Sequence, residues 1–307
     1  MPISMFRGGA DARVAAAPTP LVAPTHRGEI EYISAGAGPA VLALHGGMGG
    51  VDQSLLLFRA AIGDAAGLRV IAVSRPGYLG TPLAGAETPE RQADLAAALL
   101  DRLEIPAAFV IAVSAGGPSA LQFALRHRSR CRGLILVSCC TGRLDIPAEV
   151  RSRLPMMRWL ARLPWLVAMM RWRADADPGR TAARSIRDPA LLARTLAHPE
   201  AGVLLRTLQS SAMSRLAARL PGTENDITLC ASMPPIAVAD IDAPILAIHG
   251  TADRVVPFAH GRRIADQARQ AELMAIDGGE HVSLFTHLDD IRERVRGFLR
   301  LHGSDAR

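Results

Sequence analysis

A serine at the end of an apolar run is the strongest chemical signal in the sequence. The run Phe109–Val113 leads directly into Ser114, and the residues two positions before and after the serine are small, Ala112 and Gly116. This pattern approximates G-x-S-x-G, in which a strand turns sharply into a helix and a nucleophilic serine occupies the corner. Strand and helix come so close there that larger flanking side chains would clash, and we expect the turn to tolerate the one extra methyl group of Ala112. The alternative interpretation is a serine that caps an ordinary helix.

A glycine-rich segment, HGGMGG at positions 45–50, follows another apolar run. Its spacing is not the G-x-G-x-x-G of a dinucleotide site, and no Gly-Lys-Ser/Thr follows as in a phosphate-binding loop. Beside a nucleophilic serine, such a loop is typical of a site whose backbone N–H groups bind a developing oxyanion. We expect the N–H of Gly47, or less favourably Met48, to pair with that of Ala115. We expect His45 to stabilise the turn rather than to act as a base.

An acidic residue and a histidine follow two later apolar runs. Asp253 ends the segment HGTAD after Ile245–Ile248, and His281 ends the segment GGEH after Glu272–Ile276. Because functional residues of α/β sheets gather at the carboxyl ends of the strands, both side chains can meet Ser114. In such a set the histidine removes the serine proton, and the aspartate orients the ring and stabilises the imidazolium. A turn aspartate and a solvated histidine are the alternatives, but four post-strand motifs in the order Ser, acid, His argue against them.

The elements that must position these residues alternate along the chain. Short apolar runs, rich in Val, Ile and Leu, predict strands at Ala40–Leu44, Arg69–Val73, Phe109–Val113, Leu134–Val137, Ile245–Ile248 and Glu272–Ile276. Helical patterns cover Thr88–Leu103, Ala115–Arg128, Ala259–Arg269 and Leu288–Leu301. This alternation predicts an α/β fold with a mostly parallel sheet flanked by helices. A weakly alternating stretch, Glu29–Ser34, predicts an antiparallel edge strand.

The alternation stops between residues 143 and 240, where the pattern is helical and rich in Arg, Trp and Met. We therefore predict a core formed by residues 25–142 and 241–307, a helical cap at 143–240 and a loose N-terminal leader at 1–24. One interpretation of the cap is a basic amphipathic helix that lies on a lipid surface. We favour a lid with its apolar face over the site, because Pro155 and Pro164 divide the run into short helices.

The composition excludes several classes of protein. Of 307 residues, 49% are hydrophobic and 21% are charged, which excludes a mostly disordered chain, a collagen-like chain and a coiled coil. All 35 basic residues are arginines, and the net charge is +6. These arginines are spread along the chain with few aromatic residues among them, so we do not expect nucleic acid binding.

The cysteines point to a reducing compartment. The four cysteines form no C-x-x-C pair and no zinc-like spacing with histidine, so buried thiols and no metal site are expected. The N-terminal residues contain no apolar stretch long enough for a secretory signal or a membrane span. We expect a cytoplasmic protein without a metal or organic cofactor. The sequence does not specify its oligomeric state.

Together, these motifs resemble those of the α/β-hydrolase superfamily, from about Glu29 to Leu301. The resemblance rests on HGG at 45–47, SRPGY at 74–78, VSAGG at 113–117, HGTAD at 249–253 and GEH at 279–281. It implies a capped α/β-hydrolase fold in which Ser114, Asp253 and His281 form a catalytic triad. The SRPGY loop resembles the Arg-Pro-Gly-aromatic-Gly segment of capped members, although Leu79 separates Tyr78 from the next glycine. Serine at the corner argues against the haloalkane dehalogenase and epoxide hydrolase branches, whose nucleophile is a carboxylate.

The resemblance implies a serine hydrolase that cleaves a carboxylic ester or lactone through an acyl-enzyme on Ser114. The alternatives are a hydrolase that breaks C–C bonds of ring-cleavage products, and a low-turnover ligand receptor on the same fold. We expect a small, hydrophobic, ester-type substrate and no membrane partner. Met48, Tyr78 and Trp159 are the candidate substrate-binding residues. The tryptophans and methionines of the cap are expected to line an apolar pocket above Ser114.

Overall fold

A mostly parallel β-sheet forms the centre of the protein. The computed structural model describes residues 18–63 and 67–303. Within these residues, eight strands pair in the order β1-β2-β4-β3-β5-β6-β7-β8. Their bounds are β1 Leu21–Thr25, β2 Gly28–Gly36, β3 Ala40–Leu44, β4 Arg69–Val73, β5 Ala108–Val113, β6 Cys131–Val137, β7 Ile245–Gly250 and β8 Ala271–Ile276.

The register of the sheet brings the functional loops to one edge. The pairs β1–β2 and β2–β4 are antiparallel, and all the remaining pairs are parallel. Leu44, the last residue of β3, pairs with both Val73 and Ala112, so these strands end at nearly the same level. Val113 of β5 pairs with Val137, the last residue of β6. The loops that leave these strands therefore start side by side.

Helices cover both faces of the sheet. The described α-helices before the long helical segment are α1 Val51–Ile62, α2 Pro89–Arg102 and α3 Gly117–Arg126. The segment itself comprises α4 Ala148–Ser152, α5 Leu154–Ala161, α6 Pro164–Ala176, α7 Pro178–Ala182, α8 Pro189–Ala197, α9 Ala201–Met213 and α10 Leu220–Ser232. It is followed by α11 Ala259–Gln267, α12 Ser283–Thr286 and α13 Leu288–Gly303.

Two apolar clusters form the core, one on each side of the sheet. Leu42, Val110 and Leu134 pack on one side against residues of α2, α3 and α11. Val41 and Ile111 point to the other side, where α1 and α13 pack. Because both faces are covered, the central strands carry apolar side chains at successive positions, and this explains why their sequences lack a clean alternation.

The predicted fold class is confirmed, and the structure corrects two details at the N-terminal end. All six predicted parallel strands are present, and β3 and β4 have the predicted bounds. The antiparallel strand predicted at Glu29–Ser34 is present as β2, but it is not at the edge, because β1 pairs with its outer side. The predicted leader was too long, since Leu21 to Pro24 belong to β1. Residues 1–17 of that leader lie outside the described residues.

Candidate active site

The turn after β5 places Ser114 in a strained conformation. Ser114 has a φ of 54°, in the left-handed region that residues with a Cβ atom rarely adopt. A short helical turn at 114–116 follows at once and continues into α3. A Cβ atom on Gly116 would lie 2.6 Å from the carbonyl oxygen of His45 and 2.8 Å from that of Leu44. The small residue at this position is therefore a steric requirement of the turn, as the sequence predicts.

The structure brings together the three side chains of the predicted triad. The Nε2 atom of His281 lies 3.1 Å from the Oγ atom of Ser114, and its Nδ1 atom lies 2.8 Å from Oδ2 of Asp253. The Asp253 side chain is completely buried. Its other oxygen, Oδ1, accepts hydrogen bonds from the N–H groups of Val255 and Val256, both at 2.9 Å. The buried carboxylate thus accepts three hydrogen bonds, one on Oδ2 and two on Oδ1.

Hydrogen bonding keeps this buried carboxylate ionised. Burial alone would raise the pKa of Asp253, but the hydrogen bond and charge of His281, together with the two backbone donors, outweigh it and lower the pKa. A second histidine, His249, lies with Nε2 at 3.6 Å from Asp253 and 2.9 Å from the carbonyl oxygen of Val256. Burial lowers the pKa of His249, so this ring is neutral at pH 7. His281 is therefore the ring that the carboxylate orients towards the serine.

The two predicted oxyanion donors belong to two neighbouring turns. Gly47 lies in the turn after β3, and Ala115 is the second residue of the turn after β5. The first N–H groups of a helix have no partner within the helix, so the N–H of Ala115 is available to a ligand. Gly46 allows the two loops to approach each other closely, because a Cβ atom at this position would lie only 3.1 Å from the Cβ atom of Ser114. The two loops therefore lie against each other beside Ser114, and the binding of one oxyanion by the N–H groups of Gly47 and Ala115 stays a prediction.

His45 holds the glycine loop in place. Its Nδ1–H donates to the carbonyl oxygen of Gly46 at 2.7 Å, and its Nε2 accepts the backbone N–H of Arg75 at 2.9 Å. Burial, followed by the positive charge of Arg75, holds the pKa of His45 well below its usual value. The ring is therefore neutral and carries its proton on Nδ1. Both of its nitrogen atoms are engaged with backbone, so it stabilises the turn.

A buried ion pair links the glycine loop to the helical segment, and sequence reasoning missed it. The guanidinium of Arg75 donates to the carbonyl oxygens of His45 and Gly46 at 2.8 and 3.2 Å. It also donates to both carboxylate oxygens of Asp226, on α10, at 2.9 and 2.5 Å. Asp226 Oδ2 accepts a further hydrogen bond from the hydroxyl of Tyr78 at 2.6 Å. Asp226 therefore compensates the buried charge that holds the glycine loop.

The pKa shifts of this network agree with its geometry. Burial alone would lower the pKa of Arg75, but the charge and hydrogen bonds of Asp226 outweigh it and raise the pKa. Burial raises the pKa of Tyr78 well above its usual value, and the charge of Asp226 adds to this effect. Arg75 is thus charged and Tyr78 is neutral at pH 7, so the tyrosine donates and the carboxylate accepts.

An apolar cavity of about 250 Å³ opens at Ser114. Its walls come from the glycine loop, α1, the turn after β5, α9 and the loop and helix that follow His281. The lining residues are Gly46, Gly47, Gln53, Leu56, Leu57, Val113, Ser114, Leu208, Gln209, Ala212, His281, Val282, Leu284 and Phe285. Two carboxamides, Gln53 and Gln209, are the polar members of this set besides Ser114 and His281. The helical segment reaches the cavity through α9.

The three predicted substrate-binding side chains do not line this cavity. Met48 packs against the cluster around Val167 of α6, and Tyr78 is buried with its hydroxyl on Asp226. Trp159 is 55% exposed. The expectation that tryptophans of the helical segment form the pocket wall is therefore corrected. The prediction was wrong about which face of these helices points towards the site. The sequence indicates that α5 and α6 are apolar, but it does not indicate which of their faces is buried.

A metal site finds no support among the residues that the structure describes. These residues contain no group of three or more His, Cys, Asp and Glu side chains arranged to hold a metal ion.

Comparisons with known proteins show the family to which the chain belongs. Residues 41–295 match the model of the alpha/beta hydrolase family, and the chain belongs to that family. An alpha/beta hydrolase fold protein from Nakamurella multipartita superposes with a TM-score of 0.78 and 33% identity, covering 93% of this chain and all of the other. The pimeloyl-[acyl-carrier protein] methyl ester esterase of Aromatoleum aromaticum is 28% identical, over 76% of this chain and 89% of its own. The 2-hydroxy-6-oxo-6-phenylhexa-2,4-dienoate hydrolase of Burkholderia cepacia is 26% identical, over 88% and 91%.

Proposed function

We propose that the protein is a serine hydrolase that cleaves a small, apolar carboxylic ester or lactone through an acyl-enzyme on Ser114. The observation that carries this proposal is the position of His281. Its ring lies 3.1 Å from the serine oxygen on one side and 2.8 Å from a buried aspartate oxygen on the other. A serine that merely caps a helix needs neither contact. The strained backbone at Ser114 adds support, because strain of this kind is concentrated at functional sites.

The first half of the proposed reaction forms the acyl-enzyme. His281 Nε2 takes the proton of Ser114 Oγ as the oxygen attacks the substrate carbonyl carbon, and Asp253 stabilises the imidazolium. The carbonyl oxygen becomes an oxyanion, which accepts hydrogen bonds from the N–H groups of Gly47 and Ala115. His281 then gives its proton to the leaving alkoxide oxygen. The bond between this oxygen and the acyl carbon breaks, and an alcohol is released.

The second half returns the enzyme to its starting state. His281 removes a proton from a water molecule, whose oxygen attacks the acyl carbon. The tetrahedral intermediate collapses, His281 returns the proton to Ser114 Oγ, and the carboxylic acid leaves. No metal or organic cofactor takes part in these steps.

The cavity supports a substrate with a short or medium apolar acyl group. A volume of about 250 Å³ lies slightly below the usual range for small-molecule sites, about 300–1,000 Å³. Leucines of α1 and α9 and Phe285 form apolar walls close to Ser114. We assign residues 143–240 as a cap that closes the site through α9, with Leu208 and Ala212 as the side chains that contact substrate. These positions replace Met48, Tyr78 and Trp159 as candidates.

Hydrolysis of a C–C bond in a ring-cleavage product is the second candidate function. It is favoured by the relative from Burkholderia cepacia, whose similarity extends over 88% of this chain. The two candidates use the same three side chains and differ in the substrate.

We also propose a reducing compartment such as the cytoplasm, because the four cysteines are free and buried.

A substrate panel with one active-site variant tests the proposal. Purified protein is assayed with p-nitrophenyl esters of increasing acyl length, with lactones and with a 2-hydroxy-6-oxo-dienoate, in parallel with Ser114→Ala. We expect turnover of the short esters that disappears in the folded variant. Exclusive turnover of the dienoate would favour the second candidate. Stoichiometric binding without turnover of any of these compounds would indicate a receptor and contradict both.

A further inference from the structure

Two helices of the helical segment carry more apolar surface than their packing uses. In α5, Met157, Leu160 and Ala161 pack inwards against a small cluster that includes Val167 of α6. Two other residues of α5, Met156 and Trp159, are 53% and 55% exposed. Because they are three positions apart, they lie on one face of the helix.

The second helix repeats this arrangement. Val167 is the buried residue of α6. Trp165, Met169 and Trp172 are 65%, 43% and 70% exposed, and their spacing of four and three positions puts them on one face. We call Met156, Trp159, Trp165, Met169 and Trp172 the outer apolar face. It holds all three tryptophans of the chain, in a protein whose other aromatic residues number nine. Exposed apolar patches of this kind mark interaction sites.

The charge around the outer apolar face is strongly positive. Residues 148–176 contain six arginines and two acidic residues, a net charge of +4 in a chain whose total is +6. Arg158 pairs with Glu224 on α10. Among the described residues, the other five arginines of this stretch, Arg151, Arg153, Arg162, Arg171 and Arg173, form no ion pair. This charge favours an anionic partner and disfavours a second copy of the chain, because two copies would bring like charges together.

We propose that the outer apolar face binds an anionic lipid surface. Tryptophan prefers the boundary between lipid and water, where its ring is in an apolar layer and its N–H is hydrated. Arginines beside it can place their aliphatic stems in the same layer and their guanidinium groups at the phosphates. Because the apolar residues lie along one face of each helix, α5 and α6 would lie parallel to the lipid surface. None of the described helices is long and apolar enough to cross a membrane.

A second apolar pocket beside α6 favours lipid over an acidic protein. It has a volume of about 350 Å³ and lies between α6 and residues 213–218. Val167, Ala168 and Leu216 supply apolar walls, and Arg171 and Arg215 are among its lining residues. An acyl chain with a phosphate near its end matches this combination. The last residue of α9, Met213, lines this pocket, whereas its neighbour Ala212 lines the cavity at Ser114. The lipid surface would thus lie one helix away from the candidate active site.

Vesicle binding followed by tryptophan fluorescence tests the proposal directly, because every tryptophan of the chain lies on the outer apolar face. The full chain is mixed with vesicles of equal parts phosphatidylglycerol and phosphatidylcholine, and with vesicles of phosphatidylcholine alone. We expect a blue shift of the emission and co-sedimentation with the mixed vesicles, weaker at high salt. Binding to vesicles of phosphatidylcholine alone should be weaker by at least about 10-fold.

Paired variants separate a specific face from general attraction. Trp165→Ser with Trp172→Ser, and separately Arg162→Gln with Arg173→Gln, should each weaken co-sedimentation by about 10-fold or more. The matched controls are Val203→Ser, an exposed apolar residue of α9, and Arg262→Gln with Arg300→Gln, which removes the same charge elsewhere. These controls should bind as the parent does, and all variants must retain the parent circular dichroism spectrum.

Three results would overturn the proposal. One is the absence of both the blue shift and co-sedimentation with the mixed vesicles. Another is equal weakening by the control variants, which would indicate attraction by total charge alone. The third is a dimer in solution that dissociates in the tryptophan variant, which would assign the face to a second copy of the chain. None of these measurements depends on hydrolytic activity, so the proposed function stands or fails separately.

Discussion

The sheet and the helical segment between β6 and β7 use apolar residues in opposite ways. Every residue of β3 is buried, and the strands beside it carry apolar side chains to both covered faces. In the helical segment, α4 and α5 contain no buried residue, and α6 contains one. The sheet therefore leaves little freedom to the loops at its edge, whereas the segment leaves whole helix faces available to other molecules.

We infer from this difference that the sheet positions the reacting groups and that the helical segment determines which substrate fits. The three side chains of the proposed triad and both proposed oxyanion donors follow strands of the sheet, where the hydrogen-bonded register fixes the starting points of their loops. The segment contributes the wall of the cavity through α9 and compensates one buried charge through Asp226. We therefore expect changes beside the sheet to abolish turnover, and changes in the segment to alter substrate preference or stability.

Replacement of the proposed nucleophile should have the largest effect. In Ser114→Ala the side chain that attacks the carbonyl is lost, and we expect kcat for a short p-nitrophenyl ester to fall by about 10⁴-fold or more. The matched change in the segment, Ser210→Ala on α9, should leave kcat unchanged. Wild-type turnover by a folded Ser114→Ala protein would contradict the assignment.

Replacement of Asp253 should have the second-largest effect on turnover. Asp253→Asn keeps the size of the side chain but removes the charge that stabilises the imidazolium, and it favours the wrong tautomer of His281. We expect kcat to fall by about 10³- to 10⁴-fold with little change in KM. Asp175→Asn, in the segment, is the control and should behave as the parent. A loss of less than tenfold in Asp253→Asn would show that another group orients His281.

The buried pair that joins the two regions should control stability. Asp226→Ala leaves the charge of Arg75 buried without its carboxylate, and we expect a loss of about 3–5 kcal/mol in the free energy of unfolding. Chemical denaturation measures it. An ion pair at the surface, between Glu224 on α10 and Arg158 on α5, provides the comparison. Glu224→Ala removes the partner of Arg158 and should leave the unfolding midpoint unchanged. Equal effects of the two changes would contradict the role given to burial. Arg75→Met added to Asp226→Ala should recover part of the loss.

Stability should also depend on pH through two histidines beside the sheet. Burial lowers the pKa of both His45 and His249, so below about pH 6.5 the unfolded chain binds protons that the folded protein does not. The free energy of unfolding should therefore fall as the pH drops from 7 towards 5, by at most about 1.4 kcal/mol per pH unit for each histidine. Asp253, whose pKa is lowered, stabilises the fold above the ordinary aspartate pKa of about 3.9, and this contribution is lost only at lower pH. Denaturation curves that coincide at pH 7 and pH 5 would contradict this account.

The smallest effect on small esters should come from Trp159→Ala. Its side chain is 55% exposed and lies outside the cavity lining, so kcat/KM for a short ester should stay within about twofold of the parent. Leu208→Trp sharpens the test, because it fills the cavity from α9 and should reduce kcat/KM more as the acyl chain lengthens. The opposite pattern, with Trp159 controlling acyl preference, would restore the sequence-based assignment.

The contrast between the two regions also decides what the sequence could reveal. Strands of a covered parallel sheet have a local signature, and residues that follow them are brought together by the topology itself. Ser114, Asp253 and His281 could therefore be predicted to meet although the first and last lie 167 positions apart. The strand β1 and the helix α1 were missed, the first within an Ala- and Pro-rich stretch and the second behind a run of glycines.

The pairing of Arg75 with Asp226 has no such signature. The two residues are 151 positions apart, and the acidic one lies in a helix whose position over the sheet is determined only by tertiary packing. The same reason explains the error at Trp159. An apolar helix can bury either face, and where the inner face is already filled by other apolar residues, only the packed structure shows which side chains remain outside.

Labelling with a fluorophosphonate tests the central claim most directly, because the reagent reacts with serine hydroxyls that a neighbouring base has activated. The full chain is incubated with the reagent, and the modified residue is located by mass spectrometry of its peptides. The account predicts the addition of one label, on Ser114, and its loss in a folded His281→Gln variant. A folded protein that takes up no label, or one labelled at another serine, would contradict the account.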